Sequence, residues 1–189
     1  MRGKKLTQIQ KKYQYVEDKN MYLIEVSLDE YDDVYDEWDP APFKKRFIEE
    51  EFDDFIVSSA NDIPLKYNIG IILYIPEEKK DIIQENSVVS AFKNYYSYAL
   101  EKVERNLIKL NKTTISYFLL AVLFLTLGYC YQFRIESIFL DVIKEGTLIG
   151  GWVFLWEVFT NVFIKRKEIL NKYQCYKRLY LSDIRFIYS

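Results

Sequence analysis

The stretch TTISYFLLAVLFLTLGYCYQF, residues 113–133, contains no charged side chain. A helix of about 21 residues rises roughly 31 Å, enough for a hydrocarbon core of about 30 Å. A chain of 189 residues can hardly bury such a helix on every side, so the stretch reads as a membrane span. A second apolar run follows, GTLIGGWVFLWEVFTNVFI at residues 146–164, interrupted only by Glu157. The connecting RIESIFLDVIKE, residues 134–145, is short, so the two spans are expected to form a hairpin. Lys102, Arg105, Lys109 and Lys112 precede the first span, and Lys165, Arg166 and Lys167 follow the second. Positive residues favour the cytoplasmic side. Both termini are therefore expected in the cytoplasm and the linker outside, its Ile135, Ile138, Phe139, Val142 and Ile143 suiting the outer interface.

The rest of the composition narrows the chemistry. Mean hydropathy is −0.16, a value that averages charged segments with two strongly apolar ones. Net charge is −2, too small for a global steering argument. There is no histidine, which removes the usual general base, pH switch and metal ligand. Cys130 and Cys175 have neither metal-type spacing nor the look of a disulfide pair. Aromatic residues make up 17%, which suits membrane interfaces and packed helices. The opening MRGKKLTQIQKKYQ is basic without an apolar core, unlike a cleaved secretory signal. No phosphate-loop, dinucleotide, nucleophile-elbow or metalloprotease motif occurs, so the expectation is no enzyme, no cofactor and no metal.

The head of the chain reads as α/β. MYLIEVSL (21–28), YNIGIILYI (67–75) and SDIRFIY (182–188) alternate as strands do. Between the first two, Tyr31, Val34, Tyr35 and Trp38 recur at helical spacing, as do Phe47, Ile48, Phe52, Phe55 and Ile56. Pro40 and Pro42 separate these two patterns. The acids of residues 29–39 are expected to form the wet face of the first helix, since their spacing is not that of a calcium loop. From Glu77 the chain is expected to be helical into the membrane. Val89, Phe92, Tyr96, Ala99, Val103, Asn106 and Leu110 form a heptad-like seam.

The expected fold is an α+β membrane protein. A small cytoplasmic α/β domain of two or three strands and two or more helices sits on a long helix leading into a two-helix transmembrane hairpin. The divisions are a basic arm (1–19), the α/β domain (20–76), a helical stalk (77–112), the first span (113–133), an external linker (134–145), the second span (146–164), and a basic helix with a final strand (165–189).

Glu157 poses the functional question, because an acid within a span costs about 2.5–3.5 kcal/mol on insertion scales. Gly150, Phe154, Glu157 and Asn161 share one helix face, with Gly151 beside it permitting close backbone approach. One reading is structural: a protonated or hydrogen-bonded acid, or one that reaches toward Lys165. The other is a ring of Glu157 carboxylates around an oligomer axis, with Asn161 and Gly150 beside it and Lys165, Arg166 and Lys167 at the cytoplasmic mouth. The tail offers a second candidate site. Lys165, Arg166, Lys167, Lys172, Lys177 and Arg178, interleaved with Tyr173 and Tyr176, suit an anionic ligand or anionic lipid.

Residues 26–43 (VSLDEYDDVYDEWDPAPF), the IPLKY at 63–67 and the EGTLIGGWVFLWE at 145–157 resemble an uncharacterised family of small two-span bacterial membrane proteins. In layout, the chain also resembles the membrane effectors of anti-phage defence systems of the Hailong type. That resemblance implies a homo-oligomer in the bacterial inner membrane, a nucleotide or oligonucleotide ligand made by a partner enzyme, and membrane permeabilisation as output. The leading expectation is a cytoplasmically gated ion channel or membrane-disrupting effector. The alternative is a membrane-anchored scaffold that recruits a cytosolic partner.

Overall fold

A computed structural model describes Ile9 and residues 11–36, 47–130 and 138–189. The chain divides into two compact units: Met1–Glu101 with Tyr173–Ser189, and Lys102–Lys172. The elements in chain order are β1 (Gln14–Val16), β2 (Met21–Ser27), α1 (Glu50–Asp62), β3 (Asn68–Ile75), α2 (Ile82–Cys130), α3 (Ile138–Phe159), α4 (Arg166–Tyr180) and β4 (Asp183–Tyr188). A π-helical segment, Thr160–Lys165, joins α3 to α4 without a break.

In the first unit the sheet runs in the order β1-β2-β3-β4. β1 is antiparallel to β2, while β2, β3 and β4 are mutually parallel. Two or three strands were expected, and the fourth, β1, lies within the residues read as a basic arm. Asn20 makes it possible: its backbone is left-handed (φ 46°), which asparagine tolerates better than most residues, and its side chain accepts a 2.8 Å hydrogen bond from the Tyr15 hydroxyl. The parallel register aligns Ile24, Ile71 and Ile184, then Val26, Leu73 and Phe186. Onto this apolar face α1 packs Phe52, Ile56 and Ala60. The first part of α2 packs Val88, Ala91, Phe92 and Tyr96, and α4 packs Cys175 and Leu179. Gly70 lets Met21 and Leu23 close over β3, for a Cβ there would meet both side chains within 3.0 Å.

Helix ends carry orphan carbonyls and a negative partial charge, and two basic side chains answer this in the head. Arg178 Nη1 donates to the carbonyls of Ala60 (3.2 Å) and Ile63 (3.0 Å) at the end of α1. Lys93 Nζ donates to those of Tyr180 and Ser182 at the end of α4. Asp53 of α1 accepts hydrogen bonds from the hydroxyls of Tyr95 (3.0 Å) and Tyr96 (2.6 Å), joining α1 to α2.

Residues 31–35 depart from the helix expected there. Tyr31, Val34 and Tyr35 are buried as their stripe implied, but they lie on a 3-10 turn, Tyr31–Val34, that ends in an extended Tyr35 bridged to Ile48. Aspartate competes for backbone N–H groups and so favours caps over helix interiors. Asp33 accepts from the amides of Asp29 and Glu30, at 2.9 and 2.8 Å. The following helix starts only at Glu50, with Glu49 accepting from the Phe52 amide, so Phe47 and Ile48 precede it. Trp38, Pro40 and Pro42 lie outside the described residues.

The stalk begins later than expected, at Ile82, after Asp81 accepts from the amides of Ile83 and Gln84. From there α2 runs unbroken for 49 residues, about 74 Å. Of its seam, Phe92, Tyr96 and Val103 are buried and Val89 and Ala99 half-buried, but Asn106 is exposed. The linker read as residues 134–145 is helical over its described part. Residues 138–145 already belong to α3, because nothing before Gly146 breaks the helical pattern; residues 131–137 lie outside the described residues.

Two outcomes follow for the head. Leu179→Ala removes a fully buried side chain and should cost about 2–5 kcal/mol in denaturant unfolding, whereas exposed Leu65→Ala should be near neutral. Burial, reinforced by Asp53, raises the Tyr95 and Tyr96 phenols above the ordinary 10.0. The unfolded chain gives up these protons near that value and the folded head keeps them. Stability is therefore full below pH 10 and falls as pH rises beyond it. A Tyr95→Phe/Tyr96→Phe double variant should flatten that alkaline loss, read by circular dichroism alongside phenolate absorbance.

Candidate membrane hairpin and its polar cluster

The second unit consists of α2 beyond Glu101, α3, the π segment and the start of α4. Among the described residues two helices, Ile82–Cys130 and Ile138–Tyr180, are long and apolar enough to cross a membrane, and only 11% of the most apolar stretch of each is buried within the protein. The core helix of a soluble protein would be mostly covered. Here Leu119, Leu123, Trp152, Val153, Trp156 and Phe163 are all exposed.

α2 and α3 pack antiparallel through small residues. A Cβ on Gly128 would lie 2.5 Å from Leu148, one on Gly151 would lie 2.8 Å from Leu125, and one on Gly150 would lie 3.2 Å from Phe124. Ala121 is fully buried, and Phe154 packs its ring against Phe124 and Tyr117. Gly150 and Gly151 therefore serve contact within one chain. Gly128, which sequence reasoning passed over, is their counterpart on α2; a lone glycine inside an apolar run was its signal.

The carboxylate of Glu157 has a partner in the same chain. Lys165 Nζ lies 3.4 Å from Glu157 Oε2, with the two side chains 47% and 42% exposed. In a regular α-helix these residues would be about 12 Å apart along the axis and about 80° apart around it. The intervening π segment winds more residues into each turn, which swings Lys165 back toward Glu157. Asn161 lies inside that segment. It is 2% exposed, and its Oδ1 has no hydrogen-bond partner among the described residues. An amide buried without a partner costs several kcal/mol where no water reaches it. Glu157, Asn161 and Lys165, four residues apart, thus form a polar cluster in sequence at the end of the second apolar run, with Glu157 and Lys165 paired and half exposed and Asn161 buried.

The residues of the basic tail divide between the two units. Lys165 pairs with Glu157, while Arg166 and Lys167 are exposed. Lys172 is exposed and belongs to the second unit, whereas Tyr173, Tyr176, Lys177 and Arg178 belong to the head. There Tyr176 packs its ring at a tilt against Tyr96 (5.7 Å between ring centres), Lys177 is exposed, and Arg178 holds the end of α1. The reason is helical periodicity: side chains adjacent in sequence leave an α-helix in different directions. Among the described residues no three His, Cys, Asp or Glu side chains come together as metal ligands.

No family model, curated protein or solved structure matches this chain.

Crowding at the small-residue contacts can be tested directly. Gly128→Val and Gly151→Val should each destabilise the hairpin by about 1–3 kcal/mol. Gly146→Ala, with nothing within 4 Å, should not. Unfolding by SDS in mixed micelles, followed by emission of Trp152 and Trp156, measures the difference.

Proposed function

We propose that this protein is a homo-oligomer of the bacterial inner membrane, with two spans and both termini in the cytoplasm, in which the α/β head sets the state of a membrane hairpin and the output is ion leakage. The polar cluster of Glu157, Asn161 and Lys165 carries this reading. Ionisable side chains within a span mark ion paths by default, and such groups are rarely turned outward without a neighbour. Two helices cannot enclose water, so the path requires several copies meeting at the hairpin face that bears Glu157 and Lys165. Because Lys165 sits beside Glu157, a ring of these residues would carry little net charge and discriminate weakly between cations and anions.

Topology supports the orientation. Both spans are inserted between β3 and β4, which pair in parallel in one sheet. The chain must therefore leave the head and return to it, and basic residues flank both departures. Nucleotide control of a defence effector is the biological setting the layout suggests.

One observation favours the alternative of a membrane-anchored module that recruits a cytosolic partner. The Glu157–Lys165 pair satisfies the carboxylate inside a single chain, with no second copy needed. In that case Glu157→Gln leaves function intact, while charge reversal at the exposed acids Asp29 and Asp32 abolishes it.

Ion flux from liposomes holding the purified oligomer separates the two. The pore reading expects flux, with Lys165→Gln raising the preference for cations in reversal-potential measurements and Glu157→Gln reversing that change. Absence of conductance from an assembly of verified subunit number, across the nucleotides tested, would remove it.

A further inference from the structure

The head contains a cavity of about 440 Å³ where the sheet begins and α4 ends. Its polar wall is Lys19, Asn68, Arg178 and Asp183, and its apolar wall is Met21, Ile69 and Leu181. All seven belong to the first unit.

Most of the polar groups are already engaged. Asp183 accepts from Arg185 Nε (3.0 Å) and Nη2 (2.8 Å), and Lys19 Nζ stands 3.6 Å away. The amide of Asn68 donates to the Lys19 carbonyl at 3.3 Å. Arg178 is the exception. Its Nη1 serves the α1 carbonyls, but Nε and Nη2 are buried and have no hydrogen-bond partner among the described residues. Those two atoms form the side-on edge of the guanidinium, the same edge that Arg185 turns to Asp183. That edge matches the two oxygens of an oxyanion, and leaving it buried and empty is costly. Arg185 already balances the acid of Asp183, so Lys19 and Arg178 leave the wall cationic, which suits an anion. The remaining wall suits an apolar body.

We propose that this cavity binds a small amphiphilic anion, a carboxylate or phosphodiester bearing an apolar group, whose two oxygens take the Nε–Nη2 edge of Arg178 with Lys19 alongside. The edge is withdrawn from water, so the guanidinium must turn toward the ligand. Leu181, 67% exposed, is the wall residue with room to give way. The proposal does not depend on the pore reading, because binding is measured without flux.

The test titrates octanoate, benzoate and dibutyl phosphate into the detergent-solubilised full chain by calorimetry. A parallel arm compares nanodiscs with and without phosphatidylglycerol, to separate a free anion from a lipid headgroup. Saturable binding is expected. Arg178→Lys keeps a donor for the α1 carbonyls but loses the edge, and should weaken binding by about tenfold or more. Lys19→Gln should weaken it less. The ¹⁵Nε resonance of Arg178 in the unaltered protein should shift on titration, a readout that survives if Arg178→Lys folds poorly. Binding in the lipid arm alone, with the same resonance shift, makes the occupant a headgroup. No saturable binding in either arm, or binding that leaves both the Arg178→Lys affinity and the Nε resonance unmoved, overturns the proposal.

Discussion

Parallel pairing between β3 and β4 is the constraint on which the rest of this structure depends. Parallel neighbours cannot be joined by a tight turn; they need a crossover. In this chain the crossover runs from Ile82 to Tyr180 and contains both apolar helices. Ile71 beside Ile184, and Leu73 beside Phe186, hold the two ends of that excursion in one sheet. A chain that leaves a domain through one helix and returns through another must reverse direction in between. An even number of long helices follows, with both head-proximal ends tied to the same core. Val88, Phe92 and Tyr96 anchor the outgoing helix there, and Cys175 and Leu179 anchor the returning one.

Basic side chains perform related work at several depths of the chain. Lys93 and Arg178 cover the carbonyl ends of α4 and α1, where helices leave acceptors without donors. Lys165 covers the carboxylate of Glu157. Burial lowers the proton affinity of Lys93 and Arg178, yet each keeps donors on backbone oxygens. In the first two cases a cation links elements remote in sequence. In the third, the π segment places two residues of one helix in reach of each other. That segment also encloses Asn161, so the register change that pairs the charges leaves an amide oxygen buried with no partner among the described residues.

Much of this organisation was legible before folding. An apolar run of span length is a local property, so residues 113–130 and 146–159 were recognisable as helices from their residues alone. Alternation in MYLIEVS, NIGIILYI and DIRFIY marked β2, β3 and β4 in the same way. The buried stripe of Tyr31, Val34 and Tyr35 was also visible, though its helix was not formed, because the aspartates between those residues bind backbone amides instead. β1 escaped notice because three residues are too few for a period to show.

The amino-acid order by itself determined where the chain is apolar, how long those runs are, and which residues alternate, since these depend on neighbours within one or two turns. Only the tertiary structure decided that Gly128 meets Leu148, that Lys165 turns back to Glu157, and that one edge of Arg178 is buried without a partner among the described residues. The Arg178 contacts join residues 115 and 118 positions apart, and no local pattern encodes which distant carbonyl a side chain will meet. Packing makes that choice, because each group takes the partner that the folded core leaves within reach.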